Sequence, residues 1–279
     1  MTVTPADENL IAGEAGEIAA PQASRWRRNE NFVLGLISVL AFLLFWEASV
    51  ALGWANPLFT SSPTRIFAAG YEMFRDGSIW PDLAVSAQEF VLGYGLAILI
   101  GVPLGILMGW YSRLNAVLDP FVNALYATPR IALMPLIIIW FGIDLSAKIA
   151  IIFLSTVFPI LVNTMTGVRT MERDFVKVAR SFGASDGQLF WTVALPSSVP
   201  NLLTGLRLGL GHALIGIVVG EMYGASAGIG FMMQTAGATF QTDKVMVGIL
   251  IIAAAGMGLT HVLKMIERKF DAWRPDHHV

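Results

Sequence analysis

The chain has 279 residues, of which 55% are hydrophobic and only 14% are charged, and its mean hydropathy is +0.65. A soluble core cannot bury that much apolar surface, so the composition excludes a soluble globular domain and indicates a polytopic membrane protein. The formal net charge of −2 suggests no nucleic-acid partner, and the absence of cysteine excludes disulfides and thiol chemistry.

The first 31 residues are predicted to form a disordered N-terminal tail. Acidic residues stand among small ones there, without apolar periodicity and without a basic start. The arginine-rich stretch before the first apolar segment could also begin a cleaved secretory signal, but that segment is longer than a usual signal core. The expected organisation is a tail at 1–31, a transmembrane domain at 32–270 and a C-terminal tail at 271–279.

Six apolar segments are long enough to cross a hydrocarbon layer about 30 Å thick, which needs roughly 20 helical residues. Backbone polar groups in lipid must be satisfied within each segment, so we predict that all six are helices and that the fold is all-α. The predicted spans are residues 32–52, 86–110, 116–142, 145–168, 197–222 and 243–265.

The Lys and Arg residues are distributed unevenly between the two ends of these spans, and this asymmetry orients a membrane chain. If both termini are cytoplasmic, twelve of these residues lie on the inner side and four on the outer side. The opposite orientation would invert this threefold bias, so we predict cytoplasmic N and C termini. The inner set is Arg25, Arg27, Arg28, Arg113, Arg169, Arg173, Lys177, Arg180, Lys264, Arg268, Lys269 and Arg274, and the outer set is Arg65, Arg75, Lys148 and Lys244.

An external segment, Gly53 to Val85, lies between the first two spans. Within it, Thr64 to Phe74 has apolar residues at helical spacing, which predicts a short amphipathic helix on the outer membrane face. The segment could instead receive a soluble partner, although its composition favours the interfacial interpretation.

Glycines repeat at four-residue intervals inside two of the spans. Such small-xxx-small surfaces let helix backbones approach closely, so we expect them at helix–helix or subunit contacts. They are Gly101, Gly105 and Gly109 in the second span, and Gly205 with Gly209 and Gly216 with Gly220 in the fifth.

Prolines are expected to interrupt the third and fourth spans. A proline removes a backbone donor and crowds the preceding turn, so the third span should be kinked or partly unwound near Thr128 and Pro129. A kinked helix can line a path through the membrane or can simply be accommodated by its neighbours, and both interpretations are open. The prolines are Pro120, Pro129, Pro135 and Pro159.

Ionisable side chains inside spans are costly in lipid and usually face protein or water. Arg207 lies near the inner third of the fifth span, where it could cap loop carbonyls or contact a ligand. For His212 the pattern favours a hydrogen-bonded packing role, and for Glu221 a role in fixing the outer end of the helix. The candidates for a pathway are Arg130, Met134, Arg207, His212 and Glu221.

A polar loop, Val176 to Pro196, separates the fourth and fifth spans on the predicted cytoplasmic side. A short helix should present one apolar face and end at Gly183, after which Ser185 could cap a second short helix. Pro196 would begin the next span, where a missing backbone donor costs least. The predicted apolar face comprises Phe175, Val176, Val178, Ala179 and Phe182.

At these residues the chain resembles the inner-membrane permease subunits of ATP-binding-cassette importers. That family shares a cytoplasmic motif of Glu-Ala-Ala, three residues, Gly, nine residues, Ile, any residue, Leu-Pro. This chain keeps the spacing, but Lys177 replaces the acidic residue and Val178 replaces the first alanine. The matching positions are Lys177, Val178, Ala179, Gly183, Val193, Leu195 and Pro196.

Residues 32–275 further resemble the nitrate, sulfonate and taurine branch of these permeases. The resemblance is carried by A-T-P-R-I-A-L-M-P-L-I-I-I-W-F-G-I from Ala127, F-P-I-L-V-N-T from Phe158 and G-E-M-Y-G-A-S-A-G-I-G-F from Gly220. It implies the type I importer permease fold, the bacterial inner membrane and import of a small anion such as a sulfonate, taurine or nitrate. It does not identify the cargo.

The resemblance also implies partners: two copies of a cytoplasmic ATPase that binds ATP and Mg²⁺, a second permease copy and an extracytoplasmic binding protein, with lipid around the permeases. The chain has no Gly-x-x-x-x-Gly-Lys-Ser/Thr loop, so hydrolysis would occur in another chain, and we expect no catalytic residue, cofactor or metal here. The implied coupling loop covers about 170–196, with Lys177, Val178, Ala179, Arg180, Phe182, Gly183, Ala184, Ser185, Leu195 and Pro196 as coupling residues.

Two other classes remain open from the residues alone. A secondary transporter or channel for a small anion would use Arg130, Arg207 and His212 as its path and would not depend on a separate ATPase. An intramembrane enzyme would need His212 or His261, but neither has a carboxylate or a second histidine at ligand spacing.

Overall fold

A computed structural model describes residues 25–171 and 173–269, and within these ranges the chain is helical without any strand. The all-α prediction is therefore confirmed. The described chain divides into two units, one that ends at Ala55 and one that begins at Asn56. Residues 1–24 of the predicted N-terminal tail and the predicted C-terminal tail, 271–279, lie outside the described residues.

The first unit is built on helix α1, Arg25–Ala51. It begins before the predicted span, so residues 25–31, which we assigned to the tail, are helical. The side chains from Phe32 to Phe45 are all exposed. An apolar helix exposed on every side is what a lipid-facing span requires.

The second unit contains the other helices. The helix predicted over Thr64 to Phe74 is confirmed as α3, and its location on the outer face stays a prediction. The bounds are α2 Pro57–Thr60, α3 Pro63–Arg75, α4 Ile79–Trp110, α5 Ser112–Ala127, α6 Met134–Phe141, α7 Leu145–Arg169, α8 Arg173–Ser181, α9 Asp186–Leu189, α10 Leu195–Gly224, α11 Ile229–Ala238 and α12 Thr242–Arg268. A 3₁₀ helix, Arg130–Leu133, precedes α6, and a π-helix, Phe190–Ala194, precedes α10.

Five stretches of the described chain are long and apolar enough to cross a membrane: α1, α4, α7, the run from α9 through α10, and α12. The predicted third span is not one helix, because α5 and α6 bend by 91° at the break between them. This pair forms a broken span or a re-entrant loop, and the break falls at Thr128 and Pro129 as expected.

The predicted interruption of the fourth span at Pro159 is wrong, and α5 likewise continues through Pro120. Pro159 is buried among neighbouring helices, which pack around the backbone at this point. A proline inside a membrane helix is tolerated where surrounding packing and side chains satisfy the backbone.

α7 is the central helix, because it packs against both α4 and α10. Glycines make these contacts close: a Cβ at Gly105 would lie 2.6 Å from the Leu161 carbonyl oxygen, and one at Gly209 would lie 2.9 Å from the Ile160 side chain. The expectation that these glycines lie at helix contacts is confirmed. The glycines that contact α7 are Gly101, Gly105 and Gly109 on α4 and Gly205, Gly209, Gly216 and Gly220 on α10.

The external segment is attached to the start of α12 by polar contacts. The Arg65 guanidinium lies 2.9 Å from the Asp243 carboxylate, and the Ser61 hydroxyl donates to the same carboxylate at 2.6 Å. Thr242 donates to the Leu58 carbonyl oxygen at 2.5 Å. These contacts hold the chain before α3 and the first turn of α3 beside α12.

Candidate functional site

The polar segment, residues 173–194, connects α7 to α10 through α8, α9 and the π-helix. α8 ends at Ser181, and the chain turns at Gly183, whose φ is +79°, a conformation that glycine adopts without a Cβ penalty. The Gly183 N–H donates to the Arg180 carbonyl at 2.9 Å, and the Ala184 N–H donates to the Ala179 carbonyl at 3.0 Å. This bond pattern is a Schellman motif, and it confirms the predicted helix end.

The next helix, α9, begins with a complete capping box. The Ser185 hydroxyl accepts from the Gln188 N–H at 3.3 Å, and the Gln188 side chain accepts from the Ser185 N–H at 2.9 Å. Across the turn, Arg180 Nη2 lies 2.7 Å from the Asp186 carboxylate. The predicted cap is confirmed, and local bonds set the angle between α8 and α9.

The π-helix that follows has a local cause in Pro196. In a continuous α-helix the Pro196 ring would collide with the Thr192 carbonyl, four residues earlier. The wider π-turn relieves this conflict, and the Leu195 N–H donates to the Phe190 carbonyl, five residues back. The Phe190 ring also packs edge-on against Trp110 at the end of α4, with a centroid distance of 5.2 Å. The π-helix therefore contacts the C-terminal end of α4.

The polar segment exposes large apolar side chains among charged ones. Phe175, Val178 and Phe182 are 57%, 55% and 87% exposed. Half-buried Val176 and Ala179 contribute less of the predicted apolar face. An exposed apolar patch with a charged rim is typical of a protein interface.

All ten predicted coupling residues lie in this segment or in the first turn of α10. Lys177, which replaces the acidic residue of the motif, lies 2.8 Å from the Asp174 carboxylate, and both side chains are exposed. The role of the ten residues in coupling stays a prediction. Lys177, Val178, Arg180, Phe182, Gly183 and Ser185 are exposed, and Ala179, Ala184, Leu195 and Pro196 are half-buried.

The structure separates the five pathway candidates, and three of them have packing roles within the chain. Arg207 forms an ion pair with Glu267 and so connects α10 to α12. The His212 Nδ1 atom lies 2.9 Å from the Leu208 carbonyl oxygen, one turn earlier in α10. Met134 is only 1% exposed and packs in an apolar core cluster with Ile151.

Glu221 is fully buried and positions the start of α11. Its carboxylate accepts from the Ser86 hydroxyl at 2.5 Å and from the Gly230 N–H at 2.6 Å. The Ser86 hydroxyl in turn accepts from the Ile229 N–H at 2.9 Å, and Asp82 accepts from the Gly228 N–H at 2.9 Å. The first free N–H groups of α11 are thus capped by side chains from α4 and α10.

A second polar contact at the same end of the bundle joins α4 to α7. Lys148 Nζ lies 2.8 Å from Glu89 Oε1, and both residues are buried. They line a cavity of about 420 Å³ that opens beside Gln88, Asp144 and Ser226. Lys148, which we counted among the outer charges, is therefore a buried partner rather than a free surface charge.

Arg130 lies at the break between α5 and α6. Its Nη2 donates to the Tyr126 carbonyl at 2.7 Å, and its guanidinium carbon lies 5.1 Å and 5.9 Å from the ring centroids of Tyr126 and Phe158. No carboxylate among the described residues lies within ion-pair distance of it. Among the described residues Arg130 is the one cationic pathway candidate without a carboxylate partner.

Sequence reasoning missed the partners of the buried or half-buried charged side chains of Lys148, Arg207 and Glu221. A lone acid such as Glu89 inside an apolar span indicates that a partner exists. It does not indicate which one, because Lys148 is 59 positions away. Glu267 and Ser86 were missed for the same reason. Within residues 25–171 and 173–269 no group of three or more His, Asp or Glu side chains could hold a metal ion.

Comparison with known proteins gives consistent relatives. A family model described as "Binding-protein-dependent transport system inner membrane component" matches residues 101–273. The taurine transport system permease protein TauC of Escherichia coli (strain K12) is 34% identical over 254 residues, which cover 89% of this chain and 92% of TauC. The putative aliphatic sulfonates transport permease protein SsuC of Bacillus subtilis (strain 168) is 34% identical over 248 residues, or 89% of this chain and 90% of SsuC.

Among solved structures, an inward-facing form of the MetNI methionine ABC transporter contains a similar chain. The two chains are 21% identical with a TM-score of 0.49, and the match covers 66% of this chain and 94% of that one. The sequence relatives, by contrast, extend over almost the whole of both proteins.

Proposed function

We propose a function from one premise: the chain belongs to the family of binding-protein-dependent transport system inner membrane components. It is a multi-pass inner-membrane transport subunit rather than an enzyme. The observation that carries the proposal is the match of the family model to residues 101–273, which include α5 to α12 and the polar segment. The chain acts as the permease subunit of an ATP-driven importer, and nothing in its relatives favours a secondary transporter or channel.

The polar segment is the surface that binds the separate ATPase. Its exposed Phe175, Val178 and Phe182 need a protein partner, since they lie between charged side chains rather than in an apolar span. The Schellman turn, the capping box and the Arg180–Asp186 pair hold these side chains in one geometry. The segment can therefore transmit a displacement instead of absorbing it.

The polar segment and both termini lie in the cytoplasm. The threefold excess of Lys and Arg on that side supports this orientation. Two copies of the ATPase, with bound ATP and Mg²⁺, dock on two copies of the permease, one on each polar segment. The extracytoplasmic binding protein approaches the opposite end, where Glu221 and Glu89 lie.

The cargo is a small organic or inorganic anion, of the sulfonate, taurine or nitrate type. This assignment is supported by the relatives, which are named as permeases for taurine and for aliphatic sulfonates. The matches cover 92% of TauC and 90% of SsuC, so the likeness is not limited to a short shared fragment.

Transport proceeds by alternating access. ATP-driven closure of the two ATPases draws the polar segments together, and the contacts of Pro196 and Phe190 pass this movement to α10 and α4. The pathway then opens outward to receive cargo from the binding protein. Hydrolysis of ATP separates the ATPases and returns the pathway to the inward-open state.

The test is purification of the tagged chain from its native membrane in mild detergent, with stoichiometric companions identified by mass spectrometry. We expect a nucleotide-binding subunit in the wild-type preparation and its loss in Phe182→Ala. The matched control is Phe67→Ala on α3, since Phe67 is 77% exposed but lies far from the polar segment in sequence. A chain that is stable after crosslinking yet has no ATPase companion would refute the importer assignment.

A further inference from the structure

Three cationic side chains in the described part of the chain are not exposed: Arg130, Lys148 and Arg207. Lys148 is paired with Glu89 and Arg207 with Glu267. Arg130 has no such carboxylate, although it lies in the middle of the predicted span 116–142. A cation in a membrane segment is costly unless an anion or water compensates it, so an unpaired one indicates a functional site.

The local contacts of Arg130 fix its position without neutralising it. Nη2 is held by the Tyr126 carbonyl at 2.7 Å, and the guanidinium lies near the rings of Tyr126 and Phe158. These are dipole and quadrupole contacts, which orient the group but leave its full charge. Among the described residues Nη1 donates no hydrogen bond, and Nε is buried without a partner. The group therefore has unused donors for a ligand.

Arg130 and Arg207 differ in whether a carboxylate balances the charge. Both arginines are half-buried and both have a buried Nε without a partner. Arg207 nevertheless has its charge balanced by Glu267 of α12. The missing counter-ion at Arg130 is thus not a general feature of arginines in this fold, and its charge is left to be compensated by an anion or water from outside the described chain.

Among the described residues, the backbone around Arg130 is also the one place where two helices of a predicted span are sharply bent. α5 ends at Ala127, the 3₁₀ helix begins at Arg130, and the chain turns by 91° between them. Irregular backbone at membrane depth is tolerated where it is buried in protein or lines a water-filled cavity. Arg130 is half-buried at this break, so part of its side chain is accessible from outside the chain.

We propose that Arg130 is a binding residue for the anionic head group of the cargo, of the sulfonate class, within the translocation pathway. The Tyr126 carbonyl occupies Nη2, and Nη1 is the guanidinium nitrogen that can donate to a sulfonate oxygen in a charge-assisted hydrogen bond. Tyr126 and Phe158 hold the guanidinium plane, and their rings border the organic part of the cargo. This inference rests on the proposed function, because it names the group that contacts the cargo of that importer.

The test uses the natural absence of cysteine. A reporter thiol is placed by Ala127→Cys, because Ala127 follows the residue whose carbonyl accepts from Arg130. The matched control is Ala116→Cys, a second exposed alanine eleven residues earlier in α5, which is roughly 16 Å along the helix. Both variants are prepared in the complete transporter. Each is labelled with an anionic sulfonatoethyl and a cationic trimethylammonioethyl methanethiosulfonate.

At each position we measure the labelling rate of the anionic reagent divided by that of the cationic reagent. We expect this ratio to be higher at position 127 than at position 116. Arg130→Gln should lower this relative preference on the order of tenfold, as expected for a unit charge at a few ångströms in a partly desolvated site. Arg130→Lys should retain most of it. Ethanesulfonate at millimolar concentration should slow labelling at 127 but not at 116, and Arg130→Gln should abolish that protection.

A preference and a protection that are unchanged in Arg130→Gln would overturn the proposal. If Arg130→Gln fails to assemble, the wild-type Arg130 background decides, because labelling at 127 that ethanesulfonate does not slow would equally overturn it. The assay needs neither ATP nor the binding protein. Loss of the ATPase companion would refute the proposed function without changing the labelling ratio, so the two failures are distinguishable.

Discussion

Two regions of the molecule are stabilised in different ways. The core, formed by α4, α7 and α10, depends on close packing, whereas the polar segment depends on local hydrogen bonds. In the core, helix backbones touch because glycines remove the side chains between them, as at Gly105 and Gly209. In the polar segment, short helices are fixed by caps, a turn and exposed ion pairs, while large apolar side chains such as Phe182 stay uncovered. The core therefore tolerates no added atoms, whereas the segment depends on a few backbone geometries.

Substitutions in the two regions should also affect different properties, namely folding for the core and coupling of ATP hydrolysis to uptake for the polar segment. Atoms added to the core should prevent the helices from packing, so their effects should appear in folding and assembly. Changes in the polar segment should leave the core folded and appear in the ratio of uptake to ATP hydrolysis. Each prediction below tests whether the two regions separate in this way.

The largest effect is expected for Gly105→Leu. Its Cβ would lie 2.6 Å from the Leu161 carbonyl oxygen and 2.8 Å from the Thr164 Cβ, so α4 and α7 would have to move apart. Such overpacking costs about 3 kcal/mol or more when a backbone atom is in the way. The control, Gly95→Leu on the same helix, meets nothing within 4 Å and should fold normally. The measurement is the yield of monodisperse protein in mild detergent, and equal yields would contradict the packing argument.

A somewhat smaller loss is expected when the buried ion pair is broken. Lys148→Met leaves the Glu89 carboxylate buried without its cation, which costs about 3–5 kcal/mol in comparable cases. The double variant Lys148→Met with Glu89→Leu should recover much of this loss, because no charge then remains buried. The measurement is resistance to unfolding in a denaturing detergent, compared among the wild type, the single variant and the double variant. A double variant no more stable than the single one would show that the pair has a role beyond compensation of charge.

In the polar segment, Gly183→Pro should abolish uptake while the core remains folded. Proline cannot adopt a φ of +79°, and it lacks the N–H that donates to the Arg180 carbonyl. The control is Gly187→Ala, since Gly187 has no left-handed conformation and no neighbour within 4 Å. ATP-driven uptake and the unfolding midpoint are measured together. Normal uptake by an assembled Gly183→Pro complex would contradict the coupling role of the turn.

Local features of both regions could be predicted from the sequence. The span lengths, the glycine contacts, the turn at Gly183 and the cap at Ser185 all follow from short-range rules, and the structure contains each of them. The break at Pro129 was also expected, because a proline removes a donor wherever it stands. These features depend on residues only a few positions apart.

The pairing of distant groups could not be predicted. The Lys148–Glu89 pair and the cap of α11 by Glu221 depend on how α4, α7 and α10 align, and no local pattern specifies that alignment. Pro159 shows the same limit in reverse, since its expected break is absent because neighbouring helices support the backbone. The sequence therefore could not separate the five pathway candidates from one another. Arg130 was distinguished from the other four only when the neighbours of each side chain were known.

The smallest effect on stability, and the sharpest test of the polar segment, is expected at the Arg180–Asp186 pair. Both side chains are largely exposed, and such surface pairs contribute less than about 1 kcal/mol. Arg180→Ala should therefore leave the unfolding midpoint almost unchanged. If the pair fixes the angle between α8 and α9, the same variant should still lower the uptake achieved per ATP hydrolysed.

The charge exchange Arg180→Asp with Asp186→Arg decides between two explanations of that loss. The exchanged pair can form the same bridge across Gly183, since the two positions simply trade charges. Recovery of coupling would show that Arg180 acts through Asp186, within the chain. Continued uncoupling would instead show that Arg180 contacts the ATPase directly, because a partner surface would meet the wrong charge. In that case the geometry of the segment would depend on its backbone turn and caps alone.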